Sequence, residues 1–459
     1  MSFLITLYTF EIVEKMDVSE NLTTNKQHFD VVISGGGLSG SLMALSLLSV
    51  KAHQGKPLSI AIIEAVNAKP LSQSTSLNQK PSESVFDDRV LALSHASAQY
   101  LKELGTWTYI QDHAQPITDI HISDRGHYGK ARIKAEDHLT ANHGKVNAVG
   151  YVIEMSKLGL AIQKSLAIQQ TLAEKSQNNE KTKASALSNV TWFTPDAIDQ
   201  IKWQSASVDI TLKSNTQLSA SLLIGCDGVN SICRQAASIA CDKSDYGQSA
   251  LITNVSTKLA HQGVAYERFT ESGPIAMLPM VKVANEGSRS SLVWTLTPEQ
   301  AEEINALTDD EFKVKLEQDF GSWLGGIVKV GKRHIYPLSL VQAQEQIFHR
   351  MVLIGNASHT IHPIAGQGFN LGLRDVQSLA KTLEQTLADK GDIGAFNRLT
   401  EYAISRKTDH KHIINLTDSL VTLFSNEHFP LVAGRNIGLK VLNYIPAIKN
   451  TFVNKAMGY

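Results

Sequence analysis

The run Asp30-Val-Val-Ile-Ser-Gly-Gly-Gly-Leu-Ser-Gly constrains this chain most, because it places Gly35, Gly37 and Gly40 between a strand-like and a helix-like stretch in the spacing G-x-G-x-x-G. Gly35 permits a tight turn, Gly37 lets a pyrophosphate approach the backbone, and Gly40 lets the helix seat closely on the strand. A second apolar stretch, residues 58–63, follows Pro57 and delivers Glu64, 24 positions beyond Gly40. A carboxylate there can bind ribose hydroxyls. Strand, helix and strand in this order predict a parallel βαβ unit that binds a dinucleotide. The unit alone does not separate FAD from NAD.

Two other segments carry the same kind of turn. Residues 352–374 join a short apolar strand to a glycine-bearing turn and a helix. Gly355, Gly366 and Gly368 allow close backbone approach. The N–H groups that open the helix after Gln367 make a site for negative charge, such as a reduced flavin ring carries. Residues 220–235 form a third strand-to-turn unit, with Asp227 and Gly228 at the turn and Arg234 seven positions beyond the aspartate. Three such turns would serve one flavin dinucleotide if they met in space.

With these residues, the chain resembles the para-hydroxybenzoate-hydroxylase-like flavoprotein monooxygenases, whose pattern is a dinucleotide turn, a D-G turn and a late G-D segment. Residues 86–94, Phe-Asp-Asp-Arg-Val-Leu-Ala-Leu-Ser, and the late segment are similar to the ubiquinone-biosynthesis hydroxylases. Gly-Asn followed by His-Pro-Ile-Ala-Gly-Gln-Gly-Phe-Asn-Leu-Gly is most similar to the 2-polyprenyl-6-methoxyphenol hydroxylase subgroup. The resemblance covers about residues 28–459 and is most specific at the three turns.

The resemblance implies an α/β fold: a Rossmann-like FAD-binding domain, an interleaved β-sheet substrate domain and a C-terminal helical segment. The cofactor domain is expected at 28–115, 149–242 and 341–400, the substrate domain at 116–148 and 243–340, and the helical region at 401–459. Implied FAD contacts are Gly35, Gly37, Gly40, Glu64, Arg89, Asp227, Gly228, Asn356, Pro363, Gly366, Gln367 and Gly368. Asn356 departs from the wider family, where an aspartate binds the ribityl hydroxyls; an amide oxygen still accepts such a bond, more weakly because it is neutral.

The implied chemistry is reduction by NAD(P)H, reaction with O2 and transfer of one oxygen atom to an electron-rich prenylated phenol. No second G-x-G-x-x-G in proper context exists for nicotinamide, in keeping with a transient reductant. His362, beside Pro363, is a candidate base for the phenol hydroxyl, with packing or flavin orientation as its other reading. His359 and His362 form H-x-x-H, but no pattern supplies further ligands, so no metal is expected. Alternative activities are hydroxylation at another ring position, reduction of isoprenoid double bonds by a related flavoenzyme, or a non-enzymatic subunit that holds FAD or lipid.

Composition narrows the classes further. A total of 43 basic and 44 acidic side chains gives a net charge of -1, which argues against a general nucleic-acid binder. Three cysteines, Cys226, Cys233 and Cys241, predict neither a disulfide framework nor a zinc site, so a reducing cytoplasm is expected. The first 13 residues are apolar but lack a basic leading stretch and are broken by Glu11, so no signal peptide is expected.

Within the chain, a helical pattern spans 90–105, and 65–84 and 176–185 read as polar insertions. Met277 and Leu278 are candidate contacts for a prenyl chain, with ordinary sheet core as the other reading. Residues 429–459 carry Arg435, Lys440, Lys449 and Lys455 and no acidic side chain. They predict an amphipathic element lying on an anionic membrane or on a partner in ubiquinone biosynthesis, or else packed on its own domain. A water-insoluble substrate would favour peripheral attachment to the inner membrane.

Overall fold

The computed structural model describes residues 26–48, 50, 58–67, 89–126, 129–137, 146–178, 190–283, 287–361, 366–424, 453–454 and 457–459. Its first layer is built on the strand Gln27–Ser34, which pairs in parallel with Ile60–Ile63 on one side and Gln217–Gly225 on the other. Val190–Phe193 and Met351–Leu353 extend the parallel order outward on the two sides.

These strands read as continuous apolar runs because both their faces are covered. Val31 and Ile33 pack with the helices Leu38–Leu48, Met155–Asn178, Gln367–Ala388 and Phe396–Phe424. Val32, between them, points the other way and packs with Val208, Ile210 and Cys233, which come from the strand Val208–Leu212 and the short helix Ile232–Ala236. The expected α/β dinucleotide fold is therefore present.

The second layer is a nine-stranded mixed sheet. Its longest strand, Cys241–Thr257, lies between Ser288–Leu296 and His334–Ala343. The order continues through Gly273–Pro279, Val264–Thr270, Asp119–Asp124 and Lys130–Lys134. Helices Pro298–Ala306 and Asp309–Phe320 cover one face, each opened by a capping box, Thr297 with Gln300 and Thr308 with Glu311. Trp294, Met277 and Leu292 of the sheet are buried beneath them in one cluster with Phe312 of the second helix.

A three-stranded sheet of Val90–Ser94, Gly150–Glu154 and Gln115–Ile117 joins the layers. Here the structure departs from the expected helix over 90–105. Residues Val90–Ser94 are a strand, and the helix runs from His95 to Glu103, capped by the Ser94 side chain, which accepts from the Ser97 N–H. Val-Leu-Ala-Leu-Ser carries no decisive local preference, so pairing with Gly150–Glu154 decides its conformation.

Most of the basic C-terminal segment lies outside the described residues. The part that is described packs on the chain itself. Val453 and Met457 are buried with Ile117, Ile133 and Val149, and the Met457 carbonyl accepts from the Ala96 N–H at 2.9 Å. Tyr459 Oη lies 2.7 Å from His95 Nδ1. No described helix is long and apolar enough to cross a membrane.

Candidate active site

The three glycine-marked turns meet at the carboxyl ends of the parallel strands. At the first, Gly35 has φ +97° and its N–H donates to the Ile63 carbonyl at 2.8 Å. A side chain would push into the Cys226 carbonyl, which belongs to the second turn. At Gly40, a Cβ would overlap the Gly35 carbonyl oxygen, so helix and strand seat only without it. The third turn closes the group: the Ile354 N–H donates to the Gly225 carbonyl at 2.9 Å, and a Cβ at Gly355 would come 2.8 Å from Ser39 Oγ on the first helix.

Gly37 differs from its neighbours. A Cβ built there meets nothing within 4 Å, so its backbone borders open space of the kind a pyrophosphate would take. The Glu64 carboxylate stands beside it. Its Oε2 accepts from the Gly36 N–H at 2.7 Å and its Oε1 from the Val66 N–H at 3.0 Å. Each oxygen retains a second lone pair for a ribose hydroxyl.

At the second turn, Asp227 Oδ2 accepts from the Cys233 N–H at 3.0 Å, while its Oδ1 is buried with no partner among the described residues. Leaving a buried carboxylate oxygen unpaired is costly, so a ligand hydroxyl suits this position. Next to Asp227 in the chain, Gly228 lines the cavity, as do Asn356 and Arg89, whose guanidinium carbon sits 5.0 Å from the centre of the Tyr336 ring. Gly366, with φ +62°, caps the helix Gln367–Ala388, which therefore points its N-terminus into the cavity through Gln367 and Gly368. His362 and Pro363 lie outside the described residues.

Two residues that hold these turns together had no assigned role in the sequence reading. Asn370 accepts from the Ser94 N–H at 2.9 Å and donates to the carbonyls of Ala92 and Gly366, both at 2.8 Å. It ties the Gly366 turn to the strand that follows Arg89. Arg234, buried, donates to the Ala357 carbonyl at 2.8 Å and to the Val229 carbonyl at 2.6 Å, which locks the second turn to the third. Its place one turn into a helix after an Asp-Gly turn is the only signal a sequence offers for this.

Together these turns form one wall of a cavity of about 560 Å³. The opposite wall is the nine-stranded sheet, which contributes Ile120, Ile133, Ala265, Glu267, Leu278 and Val293, with Val453 and Met457 from the C-terminal tip. Met277 and Leu278, named together as prenyl contacts, divide between the two faces. Leu278 lines the cavity, whereas Met277 is in the core under the helices. Successive strand residues face opposite ways, so the two cannot share a role.

The Gln367–Ala388 helix also takes part, through Asp375, in a buried charged group that H-x-x-H spacing does not reveal. His359, Asp375 and His410 bring ring nitrogens and carboxylate within 4.8 Å of one another. Arg406 Nε donates to Asp375 Oδ1 at 2.6 Å, so a permanent cation already balances this carboxylate. Burial pushes Asp375 up, but His410, His359 and Arg406 outweigh it and hold the carboxyl at about 2. Burial lowers His359 to about 4 despite the attraction of Asp375.

Comparison with known proteins agrees with this geometry. A family profile described as an FAD binding domain matches residues 28–415. A ubiquinone hydroxylase of Rhodospirillum rubrum is 32% identical to this chain, over 94% of this chain and 89% of that protein. A mitochondrial ubiquinone biosynthesis monooxygenase of Danio rerio is 29% identical, over 94% of this chain and 90% of that protein. Among solved structures, p-nitrophenol 4-monooxygenase of Pseudomonas putida DLL-E4 has the same fold, with a TM-score of 0.69 at 17% identity, over 94% of this chain and 98% of that one.

Proposed function

This chain belongs to the FAD binding domain family and is an FAD-dependent monooxygenase, and we propose that it uses NAD(P)H and O2 to hydroxylate 2-polyprenyl-6-methoxyphenol in ubiquinone biosynthesis. The observation that carries the reading is the cavity itself: three cofactor turns on one side, and on the other an apolar sheet face suited to a substrate with an isoprenoid tail.

The fit to FAD rests on the open space at Gly37 and the unpartnered Oδ1 of Asp227. In this assignment the turn shaped by Gly35 and Gly40 presents Gly37, with Glu64 beside it, to the adenosine and pyrophosphate, while Asp227, Gly228, Asn356 and Arg89 receive the ribityl chain and phosphates and the N–H groups of Gln367 and Gly368 the ring. His362 and Pro363 belong to that last turn by sequence. Bound FAD supplies acceptance of hydride from NAD(P)H and activation of O2, chemistry that no side chain can provide. The protein's share is to hold the phenol against the ring and keep water out.

We divide the chain accordingly: 28–115, 149–242 and 341–400 for the cofactor, 116–148 and 243–340 for the substrate, and 401–459 as the C-terminal helical region. Access of a tailed phenol is placed at a membrane surface, where such a molecule concentrates, with the chain attached peripherally.

Mass spectrometry of quinone precursors in a strain lacking this protein tests the proposal. Accumulation of 2-polyprenyl-6-methoxyphenol supports it, and accumulation of an already dihydroxylated ring contradicts it. Oxygen consumption that depends on added phenol separates hydroxylation from reduction of isoprenoid double bonds.

A further inference from the structure

The substrate wall holds a charged group that its setting does not explain. Glu267 lies on the strand Val264–Thr270 and lines the cavity. Its neighbours on that face are small or apolar: Ala276 directly opposite on the next strand, Ala265 two residues earlier, and Ile120, Leu278 and Val293 around them. Among the described residues, no hydrogen bond or ion pair reaches its side chain. A carboxyl facing an apolar cavity without a partner is costly and marks a place where a ligand completes the bonding.

We propose that Glu267 is a catalytic residue whose carboxylate accepts the hydrogen bond, and then the proton, of the substrate's phenol hydroxyl. This rests on the monooxygenase reading given above. In the step, the phenol O–H bond breaks, a carboxyl O–H bond forms, and the electron pair stays on the phenolate oxygen. The pair enriches the ring where oxygen is to arrive, and the carboxyl later returns its proton to water.

The surroundings suit this task. Desolvation pushes the Glu267 carboxyl up to about 7, close to the pH at which a general base works best. The other titratable groups lining the cavity among the described residues are Arg89, Cys226 and Tyr266. Burial raises both the Cys226 thiol and the Tyr266 phenol, which moves them away from neutrality. Of these three acids, Glu267 alone changes charge near neutrality.

Three measurements on the FAD-loaded enzyme test the assignment. In wild type, kcat/KM for phenol hydroxylation rises with pH through about 7. Glu267→Gln, which preserves shape and removes the base, lowers kcat/KM about 100-fold and flattens that limb, while FAD content and flavin reduction by NAD(P)H stay unchanged. Glu267→Asp keeps a carboxylate in the cavity and recovers both the limb and part of the rate.

A melting series reads the same ionisation without turnover. A carboxyl whose pKa is raised in the folded state gives stability that is complete below about 4.5 and is lost as pH rises through about 7. The Tm of wild type relative to Glu267→Gln therefore falls across that interval. A limb that persists in Glu267→Gln would assign it to another group, such as His362, and overturn the proposal. A Tm difference that does not change with pH would overturn it too. If wild type hydroxylates no phenol while the melting difference still follows pH, the monooxygenase reading fails and takes the assignment with it, even though the carboxyl titrates as described.

Discussion

On the cofactor wall, the groups that meet the cavity are largely peptide backbone, exposed because Gly37, Gly228, Gly366 and Gly368 carry no side chain. On the facing sheet they are side chains, Ile120, Ala265, Glu267, Leu278 and Val293, set in place by strand register. The first wall grips a ligand shared by many enzymes, and N–H groups and helix ends suffice for that. The second must distinguish one phenol from another, which takes volume and a placed carboxyl. Substitutions should therefore separate into those that lose flavin and those that lose substrate.

The largest effects are expected within the first turn, where neighbouring glycines should fail differently. Gly40→Ala drives a methyl into the Gly35 carbonyl and should destabilise the fold by about 3 kcal/mol or more, seen as a large fall in Tm. Gly37→Val fills space that is open without ligand. It should fold normally by circular dichroism yet hold FAD at least about 100-fold more weakly, close to 3 kcal/mol. Full flavin occupancy in Gly37→Val would remove the pyrophosphate from that place.

A smaller pair of effects sharpens the contrast on the other wall. Met277→Ala empties volume in the core cluster that also holds Trp294 and should cost about 2–5 kcal/mol of stability without changing the KM for phenol. Leu278→Trp, one residue on, should leave Tm nearly unchanged and raise the KM for long-tailed phenols. If the two variants behave alike, the sheet does not divide the residues as described.

The smallest effect concerns acid. His359 is held at about 4 and Asp375 at about 2, both below their ordinary values. Groups depressed in this way give stability that is present at neutral pH. The His359 share is lost as pH falls from about 6.5 through about 4, and the Asp375 share from about 3.8 through about 2. His359→Asn should reduce the slope of Tm against pH in the first interval and leave Gly37-dependent flavin binding intact.

The same division governs what could be read from the sequence. The three turns were legible because glycine spacing is a local signal: strand, turn and helix follow one another within about 15 residues. Their convergence follows from parallel pairing of Gln27–Ser34 with Gln217–Gly225 and of that strand with Met351–Leu353. The substrate wall was not legible in the same way. Whether Glu267 or Arg268 faces the cavity depends on pairing with Gly273–Pro279 and Asp119–Asp124, and Asp119–Asp124 is about 140 residues distant in the chain. Residues 90–94 carry a helical pattern yet form a strand for the same reason, since a distant strand determines their conformation. Arg234 and Asn370 act through contacts more than 100 residues away in sequence, which no local pattern encodes.

Flavin stoichiometry of the purified chain tests the account most directly. Convergence of the three turns predicts one FAD per chain, released on denaturation and bleached by NAD(P)H in the absence of oxygen. A colourless protein that takes up no added FAD would contradict it.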